Sequence, residues 1–424
     1  MENKHQKFKE HWEKIAYQPP TFIQERVYPI LKEKQHVVGI SPTGTGKTVA
    51  YALPLLENVV PKAGIQLVIL APSQELSVQI TEVVKEWAAL LSLKVQPLIG
   101  GANIKRQLEK LREKPEIIVG TPGRILELSE MKKLKLHQVQ SVVLDECDYM
   151  LKDQQLDVVR KLLTKMPNER QLSFFSATKS DLLDELPKWF GIEPLVVDVT
   201  NEASTIENIS HAYIEGPTRK RVEVLRRLAQ VDDFSALVFV NNMANLTLLA
   251  EKLNYERIPV AVLHSEKNKV EREQALSQLK SRKVKMLLTT DVASRGLDIV
   301  GLPYVVQYDL PLTKESYVHR AGRTGRMGAK GTVLTLVNDR ELRTFKQIIK
   351  ALDYQVTPRY LSHRQILLER PEQEEVATTA SNQAPAKVKK DKPKKPAAEP
   401  SLPLLKKKKK NRTKDRKNKG KRTK

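Results

Sequence analysis

The chain is poor in cysteine and aromatic residues and has no long apolar run. A lone cysteine, Cys147, excludes a disulfide framework and suits a reducing compartment. Aromatics make up 5% of the residues, so any core must be aliphatic. No stretch nears the ~20 apolar residues that span a bilayer. The first residues, Met1 to Glu13, are polar and lack the apolar heart of a signal peptide, so secretion is not expected and a cytoplasmic location is. What is present is enough for folding: 424 residues, 40% of them hydrophobic. Single cores rarely grow past about 250–300 residues, so two domains or more are expected. The net charge is +23, and residues 386–424 hold 19 Lys/Arg against 3 Asp/Glu, leaving only +7 on the preceding 385 residues. A polycationic end of this kind suits a polyanion, with nucleic acid favoured over membrane.

Short aliphatic runs alternate with amphipathic stretches. Residues 36–40, 67–71, 117–120, 142–145 and 172–177 read as strands, and 48–60 and 74–91 as helices. Unbroken Val/Ile/Leu runs fit parallel strands buried on both faces, and their alternation with helices implies right-handed βαβ units in a doubly wound α/β sheet. A second series starts near His211, with strands at 236–240, 260–263, 285–289 and 305–308 and helices at 245–254 and 270–280. The polar segment 200–210 reads as a hinge between two α/β domains, one over 1–204 and one over 205–358. Residues 359–424 read as a low-complexity basic tail, expected to be disordered.

Ser41-Pro-Thr-Gly-Thr-Gly-Lys-Thr48 follows a predicted strand and opens a predicted helix, the setting a P-loop requires. Gly44 and Gly46 let the backbone, with Thr43 and Thr45, approach phosphates without a Cβ clash, and the amides and helix N-terminus add a positive field. Lys47 then reaches the β- and γ-phosphates and Thr48 ligates Mg²⁺. The partner motif is Val142-Val-Leu-Asp-Glu-Cys-Asp148, where an aliphatic strand delivers two adjacent carboxylates at its C-terminal end. Asp145 is placed to hold Mg²⁺ and Glu146 to orient and deprotonate an attacking water. Hydrolysis of a nucleoside triphosphate follows from the two motifs together.

Further motifs run in a fixed order. They are Ala16-Tyr-Gln-Pro-Pro-Thr-Phe-Ile-Gln24, Ala71-Pro-Ser-Gln-Glu-Leu76, Gly100-Gly101, Thr121-Pro-Gly-Arg124 and Ser176-Ala-Thr178 in the first half. Leu237–Val240, Thr290-Asp-Val-Ala-Ser-Arg-Gly-Leu-Asp298 and His319-Arg-Ala-Gly-Arg-Thr-Gly-Arg326 follow in the second. With this ordered set the chain resembles the DEAD-box RNA helicases over about residues 16–337, and among them short bacterial members, some of which act in ribosome assembly. The resemblance implies two tandem RecA-like domains and an ATP- and Mg²⁺-dependent, RNA-stimulated ATPase that separates short duplexes or remodels RNA–protein complexes. RNA, as single strand or short duplex and structured or ribosomal, is the implied partner. Gln24 matches the residue that reads the N6/N7 edge of adenine, Tyr17 the aromatic that stacks on the base, and Asp298 the acid at the ribose. Arg323 and Arg326 match arginine fingers reaching the γ-phosphate from the second domain. Asp148, Ser176, Thr178 and His319 match the network coupling nucleotide to RNA. RNA contacts fall on Pro72, Ser73, Gly101, Thr121, Arg124, Arg272 and Thr290, and are expected on phosphates and 2′-hydroxyls.

Alternatives stand beside these assignments. Tyr17 also reads as a core aromatic, and Arg124 and Arg272 as surface charges. Cys147 replaces the family's alanine and is expected to be a small core residue, with redox sensing the other reading. Ala16, Phe22 and Ser41 change only local backbone or size. Gln74 stands where the family has arginine, and Lys269 where a glutamine often stands, which bears on RNA affinity more than on hydrolysis. An ATP-gated RNA clamp with little unwinding shares every core motif.

Overall fold

The computed structural model describes residues 4–15, 17, 19–202, 209–264, 269–294, 302–325 and 329–370. Ala16, Asp298, Arg326 and the basic run from 386 to 424 therefore lie outside the described residues, as does 203–208 of the expected hinge. The described residues fall in one compact unit, Met1–Glu372.

Two seven-stranded parallel sheets organise this unit. The first holds β1 (Val37–Ile40), β2 (Leu67–Leu70), β3 (Val95–Leu98), β4 (Ile117–Gly120), β5 (Ser141–Asp145), β6 (Gln171–Ser176) and β7 (Leu195–Asp198), in the order β3-β4-β2-β5-β6-β1-β7. The second holds β8 (Ile209–Glu215), β9 (Ala236–Phe239), β10 (Val260–Leu263), β11 (Met286–Thr289), β12 (Tyr304–Gln307), β13 (Gly331–Val337) and β14 (Val356–Pro358), in the order β10-β11-β9-β12-β13-β8-β14. The strands β1, β2, β4, β5 and β6 are buried throughout, because helices cover both faces and only continuous aliphatic runs satisfy both. Fully burying one such Val, Leu or Ile contributes about 1.5–3 kcal/mol. The two faces of the first sheet carry separate aliphatic clusters, one centred on Val37, Leu67 and Val143 and the other on Val38, Val68 and Val142. The tandem doubly wound α/β architecture expected from the alternating runs is thus present. The sparse strands β3, β7 and β14 escape the sequence pattern because they lie at sheet edges and are only partly buried.

Order continues beyond residue 358. β15 (Tyr360–Ser362) and β16 (Gln365–Leu367) form an antiparallel hairpin, which corrects the expectation of a disordered tail beginning at 359. Leu361 and Ile366 pack against the second-lobe core, and the Arg364 guanidinium donates to the Gln230 carbonyl at 2.9 Å. Two apolar side chains sufficed to dock a segment too short to show a period. Among the described residues no helix is long and apolar enough to cross a membrane.

The sheet orders matter for the site. In the first lobe, β1, β5 and β6 lie together and release Ser41, Glu146 and Ala177 from their C-terminal ends. The strands β2, β3 and β4 lie together on the other side and release Ala71, Ile99 and Thr121. Motifs far apart in the chain are thereby sorted into two adjacent groups along one sheet edge, where open α/β sheets bind ligands.

Candidate active site and nucleic-acid interface

The P-loop runs from β1 into the helix Lys47–Asn58. Gly46 caps that helix in the left-handed region at φ 81°, and a Cβ there would run into the Gln24 amide nitrogen. Glycine is therefore required twice, for the backbone and for the approach of Gln24. The half-buried Lys47 ammonium donates to the Ser41 and Pro42 carbonyls at 2.6 and 2.8 Å. Its pKa is lowered by burial, an effect opposed by Asp145, Glu146 and Asp148.

Asp145 ends β5 and is 4% exposed. Tyr51, on the P-loop helix, donates to its Oδ2 at 3.0 Å, and the Glu146 amide to its Oδ1 at 2.9 Å. Burial pushes its pKa from 3.8 to about 6; Lys47 opposes the rise and Glu146 adds to it. Tyr51 carries no motif signal, and only the helix packed behind the strand reveals it. Glu146 sits at φ 51°, ψ 48°, a left-handed conformation that is unfavourable for a residue with a side chain. The turn re-aims its carboxylate towards the cleft, and Oε2 is buried with no hydrogen-bond partner among the described residues. Cys147 is fully buried and its thiol pKa is raised by burial, which fits the small core residue and leaves no reactive thiolate.

The second lobe closes this edge. His319 Nε2 lies 2.8 Å from Asp148 Oδ2; the single Ser176 hydroxyl proton is shared between Asp148 Oδ1 at 3.3 Å and the Thr178 carbonyl at 2.8 Å, and Ser176 Oγ accepts from the Thr178 amide at 3.1 Å. The four residues expected to couple the two sites are therefore joined by a chain of hydrogen bonds across the cleft. The Arg323 guanidinium is 3.6 Å from Glu146 Oε1 and 5% exposed. Thr43 of the P-loop approaches Gly322 so closely that a Cβ there would collide with its hydroxyl. Arg320 is a further residue that spacing alone did not single out. It is 1% exposed, pairs with Asp291 at 2.6 Å, and donates to Asn241 Oδ1 and the Asp309 carbonyl, which pins the start of the arginine-bearing loop.

Beside the P-loop, the Thr21 amide donates to Gln24 Oε1 at 2.9 Å, and Gln24 Nε2 donates to the Gly46 carbonyl at 3.3 Å. These two bonds fix which way the amide points. Its free valences are one lone pair on oxygen and one hydrogen on nitrogen, which complement the donor–acceptor edge of adenine and not the two acceptors of guanine. The Thr21 hydroxyl donates to the Thr45 carbonyl at 2.8 Å. Tyr17 is 43% exposed, with its ring edge-on to Trp12 at 4.7 Å and near Trp87 at 6.4 Å. It is not a core aromatic.

The second group of motifs gathers at β2, β3 and β4. Ser73 caps the helix Gln74–Ala89, with Pro72 before it, and Thr121 opens the helix Pro122–Glu130. Gly101 lies at φ 67°, and a Cβ on Gly100 or Gly101 would meet the Gln74 amide at 3.4 Å, so Gln74 rests over this turn. Arg124 is 9% exposed; its Nε lies 3.4 Å from Glu127 Oε2, and its Nη1 has no hydrogen-bond partner among the described residues. In the second lobe, Thr290 follows β11 on the corresponding side of its sheet. Arg272 departs from expectation. It points inward, donating to the His264 and Ala293 carbonyls at 2.8 and 3.0 Å, and its Nε lies 2.5 Å from Glu75 of the first lobe.

A P-loop, a strand-end carboxylate pair and an arginine brought in from a second α/β lobe define a nucleoside triphosphatase whose site is split across a cleft. Residues 21–186 match the DEAD/DEAH box helicase family and 219–328 the helicase conserved C-terminal domain. The chain belongs to the DEAD-box ATP-dependent RNA helicases, a family of RNA-stimulated ATPases. It is 41% identical over 349 residues to the probable ATP-dependent RNA helicase YfmL of Bacillus subtilis, covering 82% of this chain and 93% of that one. Identity to the DEAD-box ATP-dependent RNA helicase CshC of Bacillus cereus is 42% over 342 residues, covering 80% and 88%. Among solved structures, S. cerevisiae Dbp5 bound to RNA and ADP BeF3 superposes with a TM-score of 0.75 at 31% identity, covering 83% of this chain and 93% of that one.

Proposed function

We propose that ATP binds between the lobes and is hydrolysed there only when they close, and that closure grips one RNA strand and releases its partner. The observation that carries this reading is the cross-cleft pairing: Glu146 with Arg323 at 3.6 Å and Asp148 with His319 at 2.8 Å. Neither lobe alone holds a complete set of groups. Gln24 reads adenine, Tyr17 stacks on it, and the P-loop from Thr43 to Thr48 cradles the phosphates. Glu146 takes a proton from water as its oxygen attacks the γ-phosphorus; the bond to the β-phosphate oxygen breaks and ADP leaves. Arg323 stabilises the charge that develops on the γ-phosphoryl oxygens, and Arg326 and Asp298 are assigned to the γ-phosphate and ribose on resemblance alone.

The acidic edge suits Mg²⁺. Among the described residues no three or more His, Cys, Asp or Glu converge as a metal site. Mg²⁺ needs no such cage, since one carboxylate, a hydroxyl and substrate phosphates suffice. Asp145 and Thr48 would hold it; burial raises the pKa of the Asp145 carboxylate and Lys47 opposes the rise. When bound, the ion would neutralise charge on the phosphates.

The RNA strand runs over Pro72, Ser73, Gly101, Thr121 and Arg124, then Thr290 in the second lobe. The Arg124 Nη1 group, without a hydrogen-bond partner among the described residues, supports a phosphate contact there. The Arg272–Glu75 pair is read as a brace between the lobes on the RNA side. Structured RNA, ribosomal RNA included, in a cytoplasmic setting fits backbone-directed contacts and a polycationic tail that raises local RNA concentration. Glu146→Gln tests the reading. The variant keeps ATP binding, loses turnover and holds RNA in the presence of ATP; near-normal steady-state hydrolysis would remove Glu146 from its role. Strand displacement measured beside ATP hydrolysis separates unwinding from clamping.

A further inference from the structure

Tyr51 lies one helical turn beyond the P-loop. It stands three residues after Thr48 and four after Lys47 on the helix Lys47–Asn58, spacings that place all three on one side of that helix. Its side chain is fully buried, with the ring against Phe175 at a centroid distance of 5.0 Å and an interplanar angle of 51°. Phe175 is the register partner of Asp145 on β5 and of Gly39 on β1. A Cβ on Gly39 would meet the Phe175 ring at 2.6 Å, so this glycine makes room for the ring. The aromatic pair fills the space behind the end of β5, and from it the Tyr51 hydroxyl reaches Asp145 Oδ2 at 3.0 Å.

A phenylalanine would pack the same space, so the hydroxyl adds only its bond to Asp145. That bond acts on a weakly determined torsion. The Asp145 carboxylate turns about an sp³–sp² bond, whose profile is broad and does not by itself choose a plane. Two donors on two different oxygens choose it: the Glu146 amide on Oδ1 at 2.9 Å and the Tyr51 hydroxyl on Oδ2. Each oxygen keeps a further lone pair for another partner. Without the Tyr51 hydroxyl the plane is held at Oδ1 alone.

We propose that Tyr51 is a positioning residue for the Mg²⁺ site, its hydroxyl fixing the plane of the Asp145 carboxylate before nucleotide and ion arrive. The proposal rests on the reading that Asp145 and Thr48 hold the ion. Two effects oppose each other when the hydroxyl is removed. Losing a donor leaves more negative charge on the carboxylate, which favours a cation. Losing the fixed plane adds the cost of ordering the carboxylate to the binding of the ion. Deleting a hydrogen bond that orients a metal ligand typically weakens metal binding by about 10–100-fold, so the second effect wins.

Tyr51→Phe keeps the ring on Phe175 and removes only the hydroxyl. The full chain is titrated with mant-ADP in EDTA and in saturating Mg²⁺. It is also titrated with Mn²⁺ in the presence of ADP, the free ion being read by electron paramagnetic resonance. Half-saturation of the variant should need about tenfold more Mn²⁺ or higher, and the tightening of mant-ADP binding by Mg²⁺ should shrink by a similar factor. Affinity for mant-ADP in EDTA should hold, which also shows that the variant is folded. Equal loss of mant-ADP affinity with and without Mg²⁺ would mean that Tyr51 serves packing alone. Unchanged or tighter Mn²⁺ binding would mean that Asp145 needs no orienting partner, and either result overturns the proposal. Asp145→Asn separates this failure from that of the underlying reading. If Asp145→Asn weakens Mn²⁺ binding and Tyr51→Phe does not, the ion site stands and the positioning role falls. If Asp145→Asn leaves Mn²⁺ binding unchanged, the ion is not held at Asp145 and both fall.

Discussion

Replacing Asp145 by asparagine should stabilise the nucleotide-free protein while abolishing its activity. The reason is the burial of this carboxylate, which moves its pKa from 3.8 to about 6. A carboxylate whose folded pKa is raised is most favourable to folding when protonated. Its stability contribution is intact below pH 3.8 and declines as pH rises through about 6, where the folded protein must hold a charge that water would solvate better. A rise of that size corresponds to about 3 kcal/mol of cost at pH 7. The side-chain amide in Asp145→Asn avoids that cost, but one of the two hydrogen bonds from Tyr51 and the Glu146 amide is lost, because one oxygen has become a donor. A lost bond costs about 1 kcal/mol, so the net gain is about 2 kcal/mol at pH 7. Urea denaturation without nucleotide or Mg²⁺, followed from pH 4 to pH 8, measures it. The gap between variant and wild type should open between pH 4 and 6 and be flat above. A variant less stable than wild type at pH 7, or a gap independent of pH, would refute the account of a buried, under-compensated charge.

Gln24→Ala should cost about 1–3 kcal/mol of base discrimination, read as a narrowed ratio of ATP to GTP catalytic efficiency. Arg323→Ala should slow hydrolysis on the order of 10³-fold with saturating RNA while ATP affinity changes little, as for other arginine fingers; single-turnover rates against nucleotide titrations check the split. Glu75→Gln leaves the Arg272 guanidinium beside a neutral partner and removes the charge attraction between the lobes. RNA binding in the presence of a non-hydrolysable ATP analogue should weaken strongly, whereas RNA binding without nucleotide should hold. Equal loss in both would mean that the pair touches RNA directly and does not brace the lobes.

Local order made much of this molecule legible from its residues. A β-strand buried on both faces has to be a continuous aliphatic run, so the central strands Val37–Ile40, Leu67–Leu70 and Ser141–Asp145 were all visible in advance. A loop that wraps phosphate needs glycine at fixed offsets from a lysine, so Gly44, Gly46 and Lys47 identify themselves wherever they fold. Edge strands such as Val95–Leu98 and the Tyr360–Leu367 hairpin stayed hidden, because partial burial asks little of a sequence. Pairing across the cleft was hidden for another reason. Glu75 follows β2 and Arg272 follows β10, and nothing along the chain pairs them until the fold brings the two side chains together. The same holds for Tyr51 behind Asp145 and for Arg320 on Asp291. Hydrophobic period and turn chemistry are properties of neighbours along the chain, whereas desolvation and ion pairing arise only between segments that the fold has brought together.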